Sequence, residues 1–200
     1  MSDAIRVVPA NEASAAELDA IFGDRGWPAR CSCQWFKVRG KDWDEAAHAA
    51  EYRRALHEQT SCGDPSAPST SGLVAYLGDE PAGWCAVEPR TSYVRMARSR
   101  MPWAGRDEDK NDDDVWAVTC FVTRTGYRRR GVMSALALAT VDFARARGAR
   151  AIEGYPLEDE PGRTYSWGEM YVGSRGVFAA AGFTEVSHPT PRRVVMRCEL

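Results

Sequence analysis

Short β-branched runs at 5–8, 73–77, 83–88 and 115–122 alternate along the chain with stretches whose apolar positions recur at helical spacing. The run 115–122, VWAVTCFV, has the strongest strand character. In 14–22, Leu18, Ile21 and Phe22 fall on one helical face, and Asp44 stands where a cap would start a second helix through about 59. A third helix is predicted from 130–131 to Gly148. Leu136, Ala139, Thr140, Phe143 and Ala144 form its core stripe, and Arg145, Arg147 and Arg150 complement the negative end of its dipole. Gly78-Asp79-Glu80-Pro81 reads as a hairpin connection, and 63–72, GDPSAPSTSG, as a turn-rich link. Residues 23–43 read as an irregular, aromatic stretch whose Trp27, Trp35, Phe36 and Trp43 form either a plug over the core or one wall of a pocket. Residues 89–106 are less regular, and the charge run 107–114 reads as a solvated loop.

Composition narrows what such elements can do. At 200 residues with 44% hydrophobic content, the chain fits one globular domain, 1–200. A net charge of -2 argues against a nucleic-acid partner, which needs a broad basic face. The start of the chain lacks the basic and apolar regions of a secretory signal, and no stretch reaches the roughly 18 apolar residues of a membrane span, so a cytoplasmic location without a membrane partner is expected. Reduced cysteines follow from that expectation. Cys31-Ser32-Cys33, with His48, His57 and Cys62 downstream, lacks the paired CxxC spacing of a zinc site, and no metal is expected. Only Lys37, Lys41 and Lys110 are lysines, so the positive charge is nearly all arginine, the side chain best shaped to grip phosphate or carboxylate.

Four of those arginines, Arg124, Arg128, Arg129 and Arg130, gather between the strand at 115–122 and the third helix, just ahead of Gly131. A strand, a short glycine-bearing turn and a helix start with unpartnered amides make an anion site, and the anion expected there is a pyrophosphate. Neither G-x-G-x-x-G nor G-x-x-x-x-G-K occurs at the turn, which argues against a Rossmann or P-loop nucleotide binder.

The segment Arg128-Arg129-Arg130-Gly131-Val132-Met133-Ser134 resembles the Q/R-x-x-G-x-G/A acyl-CoA signature of the GNAT superfamily of N-acyltransferases, with Met133 where Gly or Ala is usual. The resemblance extends over 72–200 in element order: hairpin, strand, signature helix, a strand at 149–155, a short helix at 174–181, Gly182-Phe183 and a closing strand pair at 183–199. It implies an α/β (α+β) fold. The central sheet would be mixed and mostly antiparallel, with splayed parallel strands at the acyl-CoA site and helices flanking it. Residues 1–71 would supply an N-terminal strand, helices and an acceptor-side loop, and 72–200 the acyl-CoA-binding core.

By position, the resemblance assigns the pantetheine arm to backbone groups of Cys120, Phe121 and Val122, and the phosphates to Arg128, Arg129, Arg130, Gly131, Val132, Met133 and Ser134. The co-substrate implied is acetyl-CoA, and the activity an N-acetyltransferase acting on a primary amine of a small or medium-sized substrate by direct attack in a ternary complex. The alternative is a non-catalytic acyl-CoA-binding or sensing module. The family's usual thiolate proton donor is a Tyr four residues before the Gly-Phe pair, where this chain has Phe178. Tyr171, Ser174 or Tyr155 would substitute, or the thiolate would take its proton from water; Ser174 is equally placed to cap the short helix. Glu153 leads the candidates for general base, ahead of Asp114 and Glu88. The acceptor would lie between 24–43 and 155–173. Trp27, Trp35, Phe36, Tyr165, Trp167 and Tyr171 there, with Glu158, Asp159, Glu160 and Glu169, suit a cationic amine. The resemblance is compatible with a monomer or with a homodimer formed through 183–199.

Overall fold

A computed structural model describes residues 4–159, 162, 164–166 and 168–200. Its strands are β1 Ile5–Pro9, β2 Leu73–Leu77, β3 Glu80–Pro89, β4 Val115–Thr123, β5 Ala151–Gly154, β6 Thr184–Thr190 and β7 Arg193–Glu199. Its helices are α1 Ala15–Phe22, α2 Gly26–Cys31, α3 Glu45–Thr60, α4 Val94–Arg98, α5 Val132–Arg145 and α6 Arg175–Ala180. Among the described residues the strands form one sheet in the order β1-β2-β3-β4-β5-β7-β6, antiparallel throughout except for β4 and β5. This is the mixed, mostly antiparallel sheet flanked by helices that the sequence led us to expect. Among the described residues no helix is long and apolar enough to cross a membrane.

Local chemistry sets the helix starts. Ser14 forms a reciprocal capping box with Glu17, and the Asp44 carboxylate accepts from the amides of Ala46 and Ala47, each at 3.0 Å. The stripe of α5 buries Val132, Leu136, Ala137, Thr140, Phe143 and Ala144 against one sheet face, which α6 also covers through Phe178. On the other face Leu18, Ile21, Phe22 and Leu56 pack on Val74, Tyr76, Trp84 and Ala86. Tyr93 and Met96 pack farther along, on Ala117, Tyr155 and Val195. Each such large apolar side chain contributes about 1.5–3 kcal/mol on burial.

Three expectations need correction. The stretch 23–43 contains α2, whose six residues have no side-chain cap and include Pro28 in the first turn, so it left little pattern to read. The strand expected at 149–155 stops at Gly154, because Pro156 has no amide to extend the ladder. The charge run is only partly solvated: Glu108 meets Arg90, Arg106 and Arg197, Asp112 pairs with Arg150, and Thr91 donates to Asp113.

Candidate acyl-donor and acceptor site

The two parallel strands share only part of their length. Val115–Val118 of β4 pair with Ala151–Gly154 of β5, and beyond that point β4 continues alone on this side to Thr123. A bulge marks the parting: Ala86 faces Cys120 while Val87 faces Val118, leaving Thr119 as the extra residue. The amide of Arg124 donates to the Ala82 carbonyl at 2.9 Å, so the two-residue alternation turns Val122 toward β3 and turns the backbone groups of Phe121 and Thr123 to the open edge. Those groups can receive an extended, amide-bearing chain as a neighbouring strand would.

At the far end of this edge the chain turns into α5. Arg129 has φ 61 and Gly131 has φ 83, both left-handed. A β-carbon at Gly131 would meet only Ile5 Cδ1 at 3.6 Å, so glycine is needed here for its backbone angle rather than for space. Arg129 holds its angle at a cost of about 1–3 kcal/mol, a strain that commonly marks a ligand clamp. No side chain caps α5, so the amides of Val132, Met133 and Ser134 project from a 14-residue helix with Arg128, Arg129 and Arg130 exposed beside them. The side chain of Val132 is buried over Gly83, so only its backbone could serve a ligand.

A cavity of about 660 Å³ runs along the open edge. Its floor is Cys120, Phe121, Val122 and Thr123, and Arg128 and Met133 stand at the signature-turn end. One wall is Phe22, Trp27, Pro28, Cys31, Cys33, Trp35 and Phe36; the other is Gly168, Met170 and Tyr171. The cavity thus brings together Cys120, Phe121, Val122, Arg128, Met133 and Tyr171 from the expected set, while Arg129, Arg130, Gly131 and Ser134 lie exposed at the turn beside it. Sequence reasoning left Cys31 and Cys33 without a role and did not single out Thr123 or Met170. Cys33 Sγ lies 2.8 Å from Cys120 Sγ. That contact and burial push the Cys120 thiol well above its ordinary pKa, and burial pushes Cys31 up to about 12, so both stay neutral and weakly nucleophilic. The histidines named with these cysteines are elsewhere, His48 against Glu51 and His57 against Asp19.

Glu153 is not at the cavity. Its side chain is 0% exposed and is held by Arg106, by Arg197 Nη1 at 2.9 Å, by Arg90 Nη1 at 3.2 Å and by the Tyr155 hydroxyl at 2.9 Å. Burial alone would raise its pKa, but Arg106 and Arg90 outweigh burial and hold it below the ordinary carboxylate value. A carboxylate committed to three guanidinium groups has no free oxygen to take a proton from an amine. The other candidates are also elsewhere: Glu88 is bonded to Lys37 and Ser71, and Asp114 is exposed at the opposite end of β4.

Among the described residues the acceptor-side carboxylates have partners too. Glu158 pairs with Arg175 at 3.1 Å, Asp159 accepts from the amide of Gly176, and Glu169 holds Ser166 and pairs with Arg192. Glu160 and Trp167 lie outside the described residues. Ser174 is at the N-cap position of α6 but makes no side-chain capping bond, and it does not line the cavity. Phe178 is 0% exposed, with its ring 5.9 Å from Phe121 and 5.0 Å from Phe183, edge to face. A β-carbon on Gly154 would stand 2.2 Å from that ring, so Phe178 is wedged where β4 and β5 separate. Tyr171 is the one expected hydroxyl on the cavity wall; burial raises its pKa while Arg193 offsets part of the rise, so its proton is retained at neutral pH.

A family model described as the acetyltransferase (GNAT) family matches residues 33–160. No curated protein matches the chain. Among solved structures, a GCN5-related N-acetyltransferase from Kribbella flavida is 19% identical with a TM-score of 0.54, covering 98% of each chain. A GNAT-family acetyltransferase from Streptococcus pneumoniae is 16% identical with a TM-score of 0.51, covering 98% of this chain and 99% of its own. An aminoglycoside acetyltransferase in complex with coenzyme A is 14% identical with a TM-score of 0.51, covering 98% of this chain and 95% of its own. At these identities the likeness is one of fold.

Proposed function

The chain belongs to the acetyltransferase (GNAT) family, and from that premise we propose that it transfers an acetyl group from acetyl-CoA to a primary amine of a small or medium-sized molecule, by direct attack in a ternary complex. The observation that carries this reading is the continuity of one cavity from Arg128 and Met133, along the open edge of β4, to Trp27 and Tyr171. That continuity puts a cradle for a charged group, a path for an extended arm and room for an acceptor in line. One of the similar folds, the aminoglycoside acetyltransferase, was solved with coenzyme A.

Bound acetyl-CoA supplies the thioester. The amides of Val132, Met133 and Ser134 and the three arginines hold the pyrophosphate, where charge-assisted bonds are strongest. Backbone groups of Phe121 and Thr123 align the pantetheine arm along β4. The Phe178 wedge keeps the strands apart at their parting. In this reading Tyr171, which lines the cavity, gives the departing sulfur its proton.

A second reading, an acyl-CoA-binding module without turnover, draws on Phe178 in the family's Tyr position and on the commitment of Glu153 to ion pairs. Calorimetry with acetyl-CoA together with coenzyme A release across a broad amine panel separates the two. Amine-dependent release with one acetyl-amide formed per coenzyme A supports transfer. Tight binding with no release for any amine would establish the binding module instead.

A further inference from the structure

Resting on the acetyl-transfer reading, we propose that the acceptor is a weakly basic primary amine on a flat apolar body, of the aromatic-amine class, rather than a cationic alkylamine. Among the described residues that line the cavity, Arg128 is the one charged side chain, and no carboxylate or histidine is present. The three histidines bond to acids outside it: His48 to Glu51, His57 to Asp19 and His188 to Glu185. Part of the aromatic wall already carries a cation. Arg95 already stacks on Trp35 at 3.7 Å and reaches Trp43 at 5.6 Å, while Trp43 lies against Tyr52 at 4.8 Å, nearly parallel. One face of Trp35 is thus taken from within, and the cavity receives the apolar surfaces of Trp27, Trp35, Phe36 and Met170.

Reactivity follows from the same wall. Attack on a thioester needs the nitrogen lone pair. An alkylamine resembling lysine, with a conjugate acid near about 10.4, arrives protonated at neutral pH and needs an acceptor for that proton. Among the described lining residues there is none. An amine attached to an aromatic ring is neutral at that pH and brings its lone pair unaided. As its nitrogen bonds to the acyl carbon, the carbon-sulfur bond breaks and the electron pair leaves with sulfur. The Tyr171 hydroxyl gives its proton to sulfur and regains one from nitrogen, so the products are the N-acetyl amine and coenzyme A thiol.

The test measures acetyl-CoA turnover by product mass spectrometry with aniline, 2-naphthylamine, cyclohexylmethylamine and 1,4-diaminobutane, with acetyl-CoA binding followed by calorimetry. The expected result is efficient acetylation of 2-naphthylamine and aniline at rates nearly level between about pH 6.5 and 8.5, above the titration of such amines. For cyclohexylmethylamine kcat/KM should climb about tenfold per pH unit with its neutral fraction, and 1,4-diaminobutane should be the poorest. Replacing the half-exposed Trp27 (W27A) should raise KM for 2-naphthylamine about threefold to tenfold with acetyl-CoA affinity unchanged. Preferred or equal turnover of 1,4-diaminobutane, or a level pH profile for cyclohexylmethylamine, would overturn this inference and leave acetyl transfer standing. If acetyl-CoA binds and no amine of either class is acetylated, the transfer reading falls, and this inference with it.

Discussion

The two ends of the β4–β5 pair are opposites. Where the strands are joined, at Val115–Val118 and Ala151–Gly154, Glu153 gathers Arg90, Arg106 and Arg197 into a buried ionic knot. Where they part, the open edge of β4 faces a cavity with one charged side chain among its described lining residues, neutral thiols and aromatic walls. One end spends charge on holding the sheet together, and the other keeps it out of the space where an acyl group would move. Buried carboxylates cost several kcal/mol to desolvate, and this one is offset by partners that immobilise it. The best-placed acid by sequence is therefore committed to ion pairs, and the proposed transfer would draw on backbone amides, a helix start and a phenol instead.

The largest expected effect comes from breaking the knot. Glu153→Gln leaves three guanidinium groups facing one another and should lower unfolding free energy by about 3–5 kcal/mol in urea titrations, with turnover per folded molecule retained at reduced temperature. A stable variant without turnover would move Glu153 to the catalytic side of the comparison. The wild-type carboxylate, with its folded pKa depressed, contributes stability that is fully present above its unfolded value of about 4.3 and is lost as pH falls through the lower folded value. Acid unfolding midpoints should therefore shift upward in milder variants such as Arg106→Lys.

Smaller effects belong to the open end. Tyr171→Phe should reduce kcat by about 100-fold with acetyl-CoA affinity intact; a normal kcat would leave water as the proton source. Gly131→Glu adds a negative charge and a strained left-handed side chain at the turn, and calorimetry should show acetyl-CoA binding weakened tenfold or more, about 1.4 kcal/mol. The smallest effect checks the scaffold away from both ends: Asp44→Ala removes the α3 cap and should cost about 1 kcal/mol of stability while leaving kcat unchanged.

The open end was largely legible in the sequence because its signal is local. The β4 run, the glycine turn and the α5 stripe are contiguous, and Cys120, Phe121, Val122, Arg128 and Met133 from them line one cavity, but the backbone groups of Val122, expected to face the arm, turn to β3 and those of Thr123 take the open edge. The ionic knot was not legible. Arg90, Arg106, Glu153 and Arg197 are scattered over more than half the chain, and only the strand order and the course of the loop before β4 bring them together. The same reason hid the partners of the acidic loop: nothing local in Glu158 or Glu169 announces Arg175 and Arg192, which pair with them from 17 and 23 residues further on. Cys33 reached Cys120 across 87 residues by the same kind of long-range folding, with no local pattern to announce it.

The most direct measurement is amide hydrogen exchange, residue by residue, with and without acetyl-CoA. Slowed exchange should appear at Phe121 and Thr123 and across 129–134, with Arg90, Arg106 and Glu153 unchanged. Unchanged rates over 119–134, with protection around the ionic knot instead, would contradict a donor site at the open end of β4.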